Sequence, residues 1–342
     1  MTRGVARATH PRMTSTVIAE IYRGGHLESR HTGSFVVTDA DGRVVLAGGD
    51  PARAVFPRSA IKALQALPLL ANGGADRFGL NDAELALACA SHTGLPIHTQ
   101  VAAGMLEKAG RDVTCLECGT HWPSSASAAR ALAAAGQSPT ALHNNCSGKH
   151  AGFICAAVAA GRDPSGYIQS DHPTMRDVIA AVAAVTGARM DAGNRATDGC
   201  SIPTFEIPLA AIATGFARFG TSTHLPEGFA AAANRLRQAV AAQPEMVAGP
   251  GRLDTEVMTA LGEAAFVKAG AEGVHAGTLP TLGLGFAVKA DDGAGRAADA
   301  ATAALLRHLL PPHDVLDQRA SQTLTNWNGI EVGRVVGCVA EK

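Results

Sequence analysis

The sequence predicts an α+β sandwich in which N- and C-terminal segments share one antiparallel sheet, with a large helical insertion between them. Three observations carry this. Strand patterns sit at the two ends of the chain, helical patterns fill the middle, and strands do not alternate singly with helices as a doubly wound parallel fold requires.

The elements follow in order. Residues 1–12 (MTRGVARATHPR) are Arg-rich and aperiodic and precede a second methionine, Met13, so residues 1–15 read as a disordered extension and 16–342 as a single domain. Residues 17–22 alternate weakly. Ser34-Phe35-Val36-Val37-Thr38, an Asp41-Gly42 turn and Arg43-Val44-Val45-Leu46 predict a hairpin. Over residues 59–70 the apolar positions Ile61, Leu64, Leu67 and Leu70 recur every three residues, with Pro57 just ahead, predicting a buried helix. The helical part spans residues 70–250 approximately. In it Asn81 and Glu84 predict a capping box before a helix at 85–89. Further helices are predicted at 98–109, 124–135, 148–160, 171–187, 226–241 and 253–269. Strand patterns return at 273–278 and 284–289, the latter ending at Asp291-Asp292-Gly293; a helix at 296–310 stops at Pro311-Pro312, and 329–336 reads as the last strand.

Composition narrows the function. With 29 basic and 30 acidic residues the formal charge is −1, which gives no electrostatic case for nucleic acid or an acidic membrane surface. The chain is 46% hydrophobic and 17% charged, the balance of a well-buried globular protein. Glu20 cuts short the only apolar run near the start, and the longest apolar stretches are about half a membrane span, so a soluble cytoplasmic protein is expected. Seven cysteines without a leader suggest free thiols or a metal site rather than a disulfide framework. Only six of the basic residues are lysines: Lys62, Lys108, Lys149, Lys268, Lys289 and Lys342. Lysine can surrender its proton when buried and arginine effectively cannot, so a scarce lysine in a motif points to chemistry.

Ser59-Ala60-Ile61-Lys62 is an S-x-x-K at a helix start, which puts an amine over a hydroxyl and suits proton removal from Ser59 as it attacks an acyl carbon. A free lysine with a pKa of about 10.4 resists neutrality at pH 7 by roughly 4 to 5 kcal/mol, so the site needs desolvation or a second cation. Lys268-Ala269-Gly270 is a K-x-G that could supply the second amine, or an ordinary helix-end lysine before a capping glycine. Ser91, in Cys89-Ala90-Ser91-His92-Thr93-Gly94, stands where a middle S-x-N element is absent, or merely ends a helix. Asn144-Asn145-Cys146-Ser147-Gly148-Lys149-His150 with Thr197-Asp198-Gly199-Cys200 could give two thiolates and a nitrogen to a zinc ion with an open fourth position, or two ordinary buried thiols. His150 is the usual choice for that nitrogen, and Lys149 the other. Cys115-x-x-Cys118 stands alone and gives a redox role little support.

Nine stretches in order from about residue 16 onward resemble the class 3, rhizobial-type L-asparaginases, whose fold is serine β-lactamase/penicillin-binding-protein-like. They are RGGHLESRHTG (23–33), Gly49-Asp50, FPRSAIKALQALP (56–68), ASHTGLP (90–96), ECGTHWP (117–123), NNCSGKHAG (144–152), TDGCSIP (197–203), KAGAEGV (268–274) and GFAVKADDG (285–293). The resemblance implies two Ser-Lys tandems, Ser59 with Lys62 and Ser91 with Lys268, and zinc on Cys146, Lys149 and Cys200 with Asp198 near it. Arg58, His92 and Asp198 are the candidate substrate-side residues. It implies hydrolysis of L-asparagine to L-aspartate and ammonia by a homodimer. A glutaminase, a β-lactamase-like serine amidase and a non-enzymatic zinc or thiol sensor are the alternatives. Lys→Arg is expected to be damaging at 62, 149 and 268 and silent at 108 and 342, with Lys289 a strand-end charge.

Overall fold

The computed structural model describes residues 14–339, so most of the extension read at 1–15, and Lys342, lie outside the described residues. Thr16–Arg23 (β1) turns at Gly24-Gly25 into the long strand His26–Asp39 (β2), and the predicted Asp41-Gly42 turn leads to Val44–Gly48 (β3). The chain then leaves the sheet. It returns as Phe266–Gly270 (β4), Val274–Leu279 (β5), Leu284–Ala290 (β6), Ser321–Thr325 (β7) and Glu331–Gly337 (β8). Across the sheet the order is β7-β8-β1-β2-β6-β5-β4, with β3 paired to the second half of β2 and all neighbours antiparallel. First and last strands meet, Ala19 opposite Gly337 and Arg23 opposite Gly333. The predicted α+β arrangement is the observed one.

Both faces of the central strands are buried, and the pleat sorts their side chains. Phe35, Val37, Val267, Phe286 and Val288 enter one core beneath the helix Gly295–Leu309, while Val36, Phe266, Ala276 and Ala287 enter the larger core shared with the helical insertion. Alternation along β4 therefore turns Lys268, like Phe266, toward the helical insertion.

That insertion contains Lys62–Ala71 (α1), Asp82–Ala88 (α2), Pro96–Lys108 (α3), Ser147–Ala159 (α4), Pro173–Thr186 (α5), Leu209–Thr221 (α6), Phe229–Ala242 (α7) and Leu253–Leu261 (α8). The Asn81–Glu84 capping box forms as the spacing predicts. No helix among the described residues is long and apolar enough to cross a membrane.

Four departures from the sequence reading have physical reasons. The helix expected over 253–269 stops at Leu261, where Gly262 takes φ +55°, and Phe266-Val267-Lys268 resumes as a strand with alternating faces. Helix α6 was not expected: its glycines and β-branched residues weaken the local signal, and packing across β2, β5 and β6 supplies the stability. Residues 26–33 carry no hydrophobic alternation, since apart from Leu27 they are polar or glycine and most of them are exposed. Ser321–Thr325, an edge strand with little burial, also escapes a hydrophobicity criterion.

Candidate active site

Ser59 lies in a tight 3-10 turn, Arg58–Ile61, that precedes α1. Arg58 just before it adopts φ +51°, a left-handed backbone that a non-glycine residue holds only when its surroundings impose it. The Arg58 guanidinium is anchored on Asp198 Oδ1 at 2.9 Å, and Asp198 in turn accepts the Gly199 N–H at 2.6 Å. Strand β4 packs directly on this turn. A Cβ on Gly270 would stand 2.7 Å from the Pro57 carbonyl oxygen and 3.0 Å from the Ala60 nitrogen, both rigid backbone, so a glycine at the end of K-x-G lets the strand approach the Ser59 turn.

Lys62 opens α1 and is almost wholly buried. Its amine donates to the Ala90 carbonyl at 2.5 Å, to Ser91 Oγ at 3.0 Å and to Cys146 Sγ at 3.1 Å. Ser59 Oγ is half-buried and has no hydrogen-bond partner among the described residues, so Lys62 is committed to the second serine rather than to the first. Ser91 is fixed from behind by its N–H, which donates to the Val247 carbonyl at 2.8 Å. Lys268 completes the group. It is fully buried, its amine donates to its neighbour's carbonyl, that of Ala269, at 2.7 Å, and burial pushes its pKa down to about 8 against the pull of Asp254, with the Lys62 charge adding to the depression.

A second cluster adjoins the first. Cys146 is the residue ahead of α4, where the helix dipole favours a thiolate. Contact with the Cys200 thiol, together with the Lys62 and Lys149 charges, holds the Cys146 thiol well below its ordinary range, while the same contact and burial push Cys200 up. Lys149, one turn into α4, donates to Cys200 Sγ at 3.0 Å. Burial opposes its charge, but Cys200, Cys146 and Asp198 outweigh burial and raise its pKa. Two thiols and an amine converging in one buried place are a donor set that fits zinc. Among the described residues no three His, Cys, Asp or Glu side chains gather as a metal set, so the fit rests on the lysine nitrogen.

The histidines face elsewhere. His150 Nδ1 meets Tyr167 Oη at 2.6 Å, and the ring is turned away from the thiols. Both nitrogens of buried His92 are engaged: Nδ1 accepts the Gly94 N–H at 3.1 Å, which leaves the proton on Nε2, 2.9 Å from Ser147 Oγ. Burial keeps the ring neutral. His92 thus braces the Ser91 loop against α4 and offers no free nitrogen to a ligand. Cys115 and Cys118 are free thiols, as are the other five cysteines.

Residues 19–336 match the model of a family described as L-asparaginase II. The chain belongs to the L-asparaginase II family. None of the curated proteins matches it. Among solved structures it resembles Mglu in its native form, at 13% identity over 81% of this chain and 63% of that one with a TM-score of 0.36. It also resembles a beta-lactamase from Mycobacterium bovis, at 15% identity over 81% of this chain and 94% of that one with a TM-score of 0.40. The chain spans less than two thirds of the Mglu chain, 63%.

In this L-asparaginase II family member the residues that sequence reasoning missed are those that act across element boundaries. Asp254 at the start of α8 is one: it is 1% exposed and faces Lys268, yet nothing around it in sequence marks it. Two lysines also need correction. Lys108, read as an ordinary surface residue, pairs with the buried Glu84 carboxylate at 2.6 Å. Lys289, read as a strand-end charge, also donates to the Ala290 carbonyl and, across to the β4–β5 turn, to the Glu272 carbonyl, at 2.6 Å each.

Proposed function

We propose that this chain hydrolyses the side-chain amide of L-asparagine to L-aspartate and ammonia through an acyl-enzyme on Ser59. The supporting observation is the pair of buried amines behind the Ser59 turn, Lys62 and Lys268, with the Ser91 hydroxyl on Lys62. Membership of the L-asparaginase II family is the second support. In this reading Ser59 Oγ attacks the amide carbon while its proton passes by way of Ser91 Oγ to Lys62 in its unprotonated state, Ser91 being the hydroxyl 3.0 Å from that amine. Lys268, whose proton is loosely held at a pKa of about 8, is unprotonated in a minor fraction of molecules at neutral pH, and that fraction supplies an acceptor. The same proton then goes to the departing nitrogen as the C–N bond breaks and ammonia leaves. Water next attacks the ester carbon, and Ser59 recovers its proton as aspartate departs. The Ser59 N–H is the natural donor for the oxyanion, since the next, that of Ala60, is already given to the Pro57 carbonyl at 3.0 Å.

Cys146, Cys200 and Lys149 are the residues that would hold zinc. Zinc bound there would supply positive charge and Lewis acidity beside Asp198. Arg58 and Asp198, already an ion pair, are the groups suited to a substrate carrying both an α-carboxylate and an α-ammonium. The same reading takes the protein as a cytoplasmic homodimer acting on a small molecule.

The test is ammonia release from asparagine and, separately, glutamine. The two substrates differ by one methylene, worth about 1 to 3 kcal/mol of discrimination. Ser59→Ala should bring release to background with an unchanged circular-dichroism spectrum. Substantial turnover in a folded Ser59→Ala protein removes Ser59 as the nucleophile.

A further inference from the structure

The segment that leads into α8 reaches both Ser91 and Lys268. Its Val247 carbonyl holds the Ser91 N–H, and seven residues later Asp254 lies against Lys268. The Asp254 carboxylate is 1% exposed and Lys268 wholly buried, with Oδ2 and Nζ 3.7 Å apart. That separation is ionic contact without a hydrogen bond. Oδ2 accepts the Ala269 N–H at 2.9 Å, which anchors the carboxylate at this distance. A carboxylate tied to the backbone of β4 is therefore held at a fixed distance from the amine next door in sequence.

We propose that Asp254 is a positioning residue for the second amine: anchored on the Ala269 N–H, its carboxylate sets the direction and charge of Lys268 without pairing with it outright. The inference rests on the role given to Lys268 above and extends it. The geometry is what a proton-accepting amine requires. A directly hydrogen-bonded carboxylate would lock the ammonium, and no carboxylate at all would leave the amine less basic still and free to turn away. The other groups facing Lys268 are Lys62 on α1, Arg252 just ahead of α8, Cys146 at the start of α4 and Cys89 at the end of α2. The two cations push its proton off. Cys89 is itself held as a neutral thiol by burial, with a pKa raised to about 12. Asp254 is the nearest of these groups that holds the proton on.

The scarcity of lysine makes a direct test practical. With six lysines in the chain, the ε-carbon signals of isotopically labelled lysine can be assigned by single substitutions and titrated without substrate. The wild-type Lys268 signal should titrate near the pKa of about 8 that its surroundings impose. In Asp254→Asn, where the amide oxygen still accepts the Ala269 N–H, the midpoint should fall by about one pH unit or more, the usual effect of removing an opposite charge at this range. Asp254→Glu should keep most of the wild-type midpoint. The acidic limb of the pH–rate profile for asparagine should move with the NMR midpoint, with KM unchanged. A folded Asp254→Asn protein whose Lys268 midpoint does not move overturns the proposal. Should that variant not fold, wild type decides alone: the Asp254 carboxyl carbon must inflect at the Lys268 midpoint, and its failure to do so overturns the proposal equally. A midpoint that shifts in an enzyme that releases no ammonia counts against the asparaginase reading and leaves the Asp254–Lys268 relation standing.

Discussion

Lys149 and Lys268 are both buried to within 2% of complete exclusion from solvent, yet their surroundings drive them in opposite directions. At the start of α4 two thiols and Asp198 overcome burial and hold Lys149 above its ordinary pKa. At the edge of the sheet, burial and the Lys62 charge prevail over Asp254 and lower Lys268 to about 8. Desolvation is common to both, so it cannot be the deciding factor. What decides is the charge nearby: the Cys146–Cys200 pair, which carries its negative charge on Cys146, and Asp198 surround the Lys149 amine, whereas Lys268 has Asp254 standing off at 3.7 Å with Lys62 and Arg252 opposing it. One corner holds its proton firmly, the other loosely.

The comparison breaks most sharply under lysine replacement. Lys268→Met and Lys149→Met should both cut ammonia release, Lys268→Met by about 10²- to 10⁴-fold as befits loss of a proton-transfer group. Zinc content should separate them. Lys149→Met and Cys200→Ser should lose bound zinc in a dialysed sample measured by atomic absorption, and Lys268→Met should retain it. Equal zinc content in all three would dissolve the metal reading of the thiol corner.

Stability gives the next effect. Lys268→Met alone strands the Asp254 charge in a dry site, and breaking a buried pair from one side costs about 3 to 5 kcal/mol. Lys268→Met with Asp254→Asn removes both charges and should recover most of that loss in urea unfolding. A double variant no more stable than Lys268→Met would mean that Asp254 and Lys268 do not interact.

The same amine should also leave a mark on the pH dependence of folding. Its pKa is about 8 in the folded chain against 10.5 unfolded. Between those values the unfolded chain holds the proton and the folded chain does not, so this contribution makes stability rise with pH across that window, by about 3 kcal/mol in total. The buried thiols Cys89, Cys118 and Cys155, each pushed up to about 12, act in the opposite sense above pH 9. The lysine contribution is therefore read from the difference between wild type and the Lys268→Met/Asp254→Asn variant. If that difference is flat from pH 7.5 to 10, Lys268 does not titrate as its burial requires.

Much of this was legible in the sequence where the deciding contact is local. The Ser34–Leu46 hairpin, the α1 stripe and the Asn81–Glu84 cap are all set by residues within a few positions of one another. The S-x-x-K spacing likewise locates Ser59 and Lys62, though it does not reveal that Lys62 turns to Ser91. The choice between Lys149 and His150 is not legible in that way. Neighbours on a helix point about 100° apart, and only the position of Cys200, carried in from another loop, shows which one faces the thiols. Lys268 was read on a helix because a five-residue strand is too short to overrule the helical pattern before it. Asp254 was invisible because its partner lies across the α8–β4 boundary.

Lys108 marks the lower end of the scale. Its amine lies 2.6 Å from Glu84 Oε2 and 3.0 Å from the Gly79 carbonyl, but its side chain keeps 35% of its exposure. Water can therefore stand in for part of what it supplies. Glu84 is less free: its side chain is 5% exposed, and it also accepts the Asn81 N–H at 2.8 Å as one half of the α2 cap. Lys108→Ala should leave that carboxylate with the backbone bond alone and lower stability by about 1 to 3 kcal/mol, the penalty for a charged group short of a partner. Lys108→Arg keeps a cation within reach and should fall within about 0.5 kcal/mol of wild type, the range of ordinary surface changes. Neither should alter kcat or KM for asparagine, because α2 connects to the site through Cys89 and Ser91, whose loop is held independently by Val247 and Asn145. A Lys108→Ala enzyme with normal stability and impaired turnover would mean that the α2 cap, and not only the loop beyond it, sets the place of Ser91.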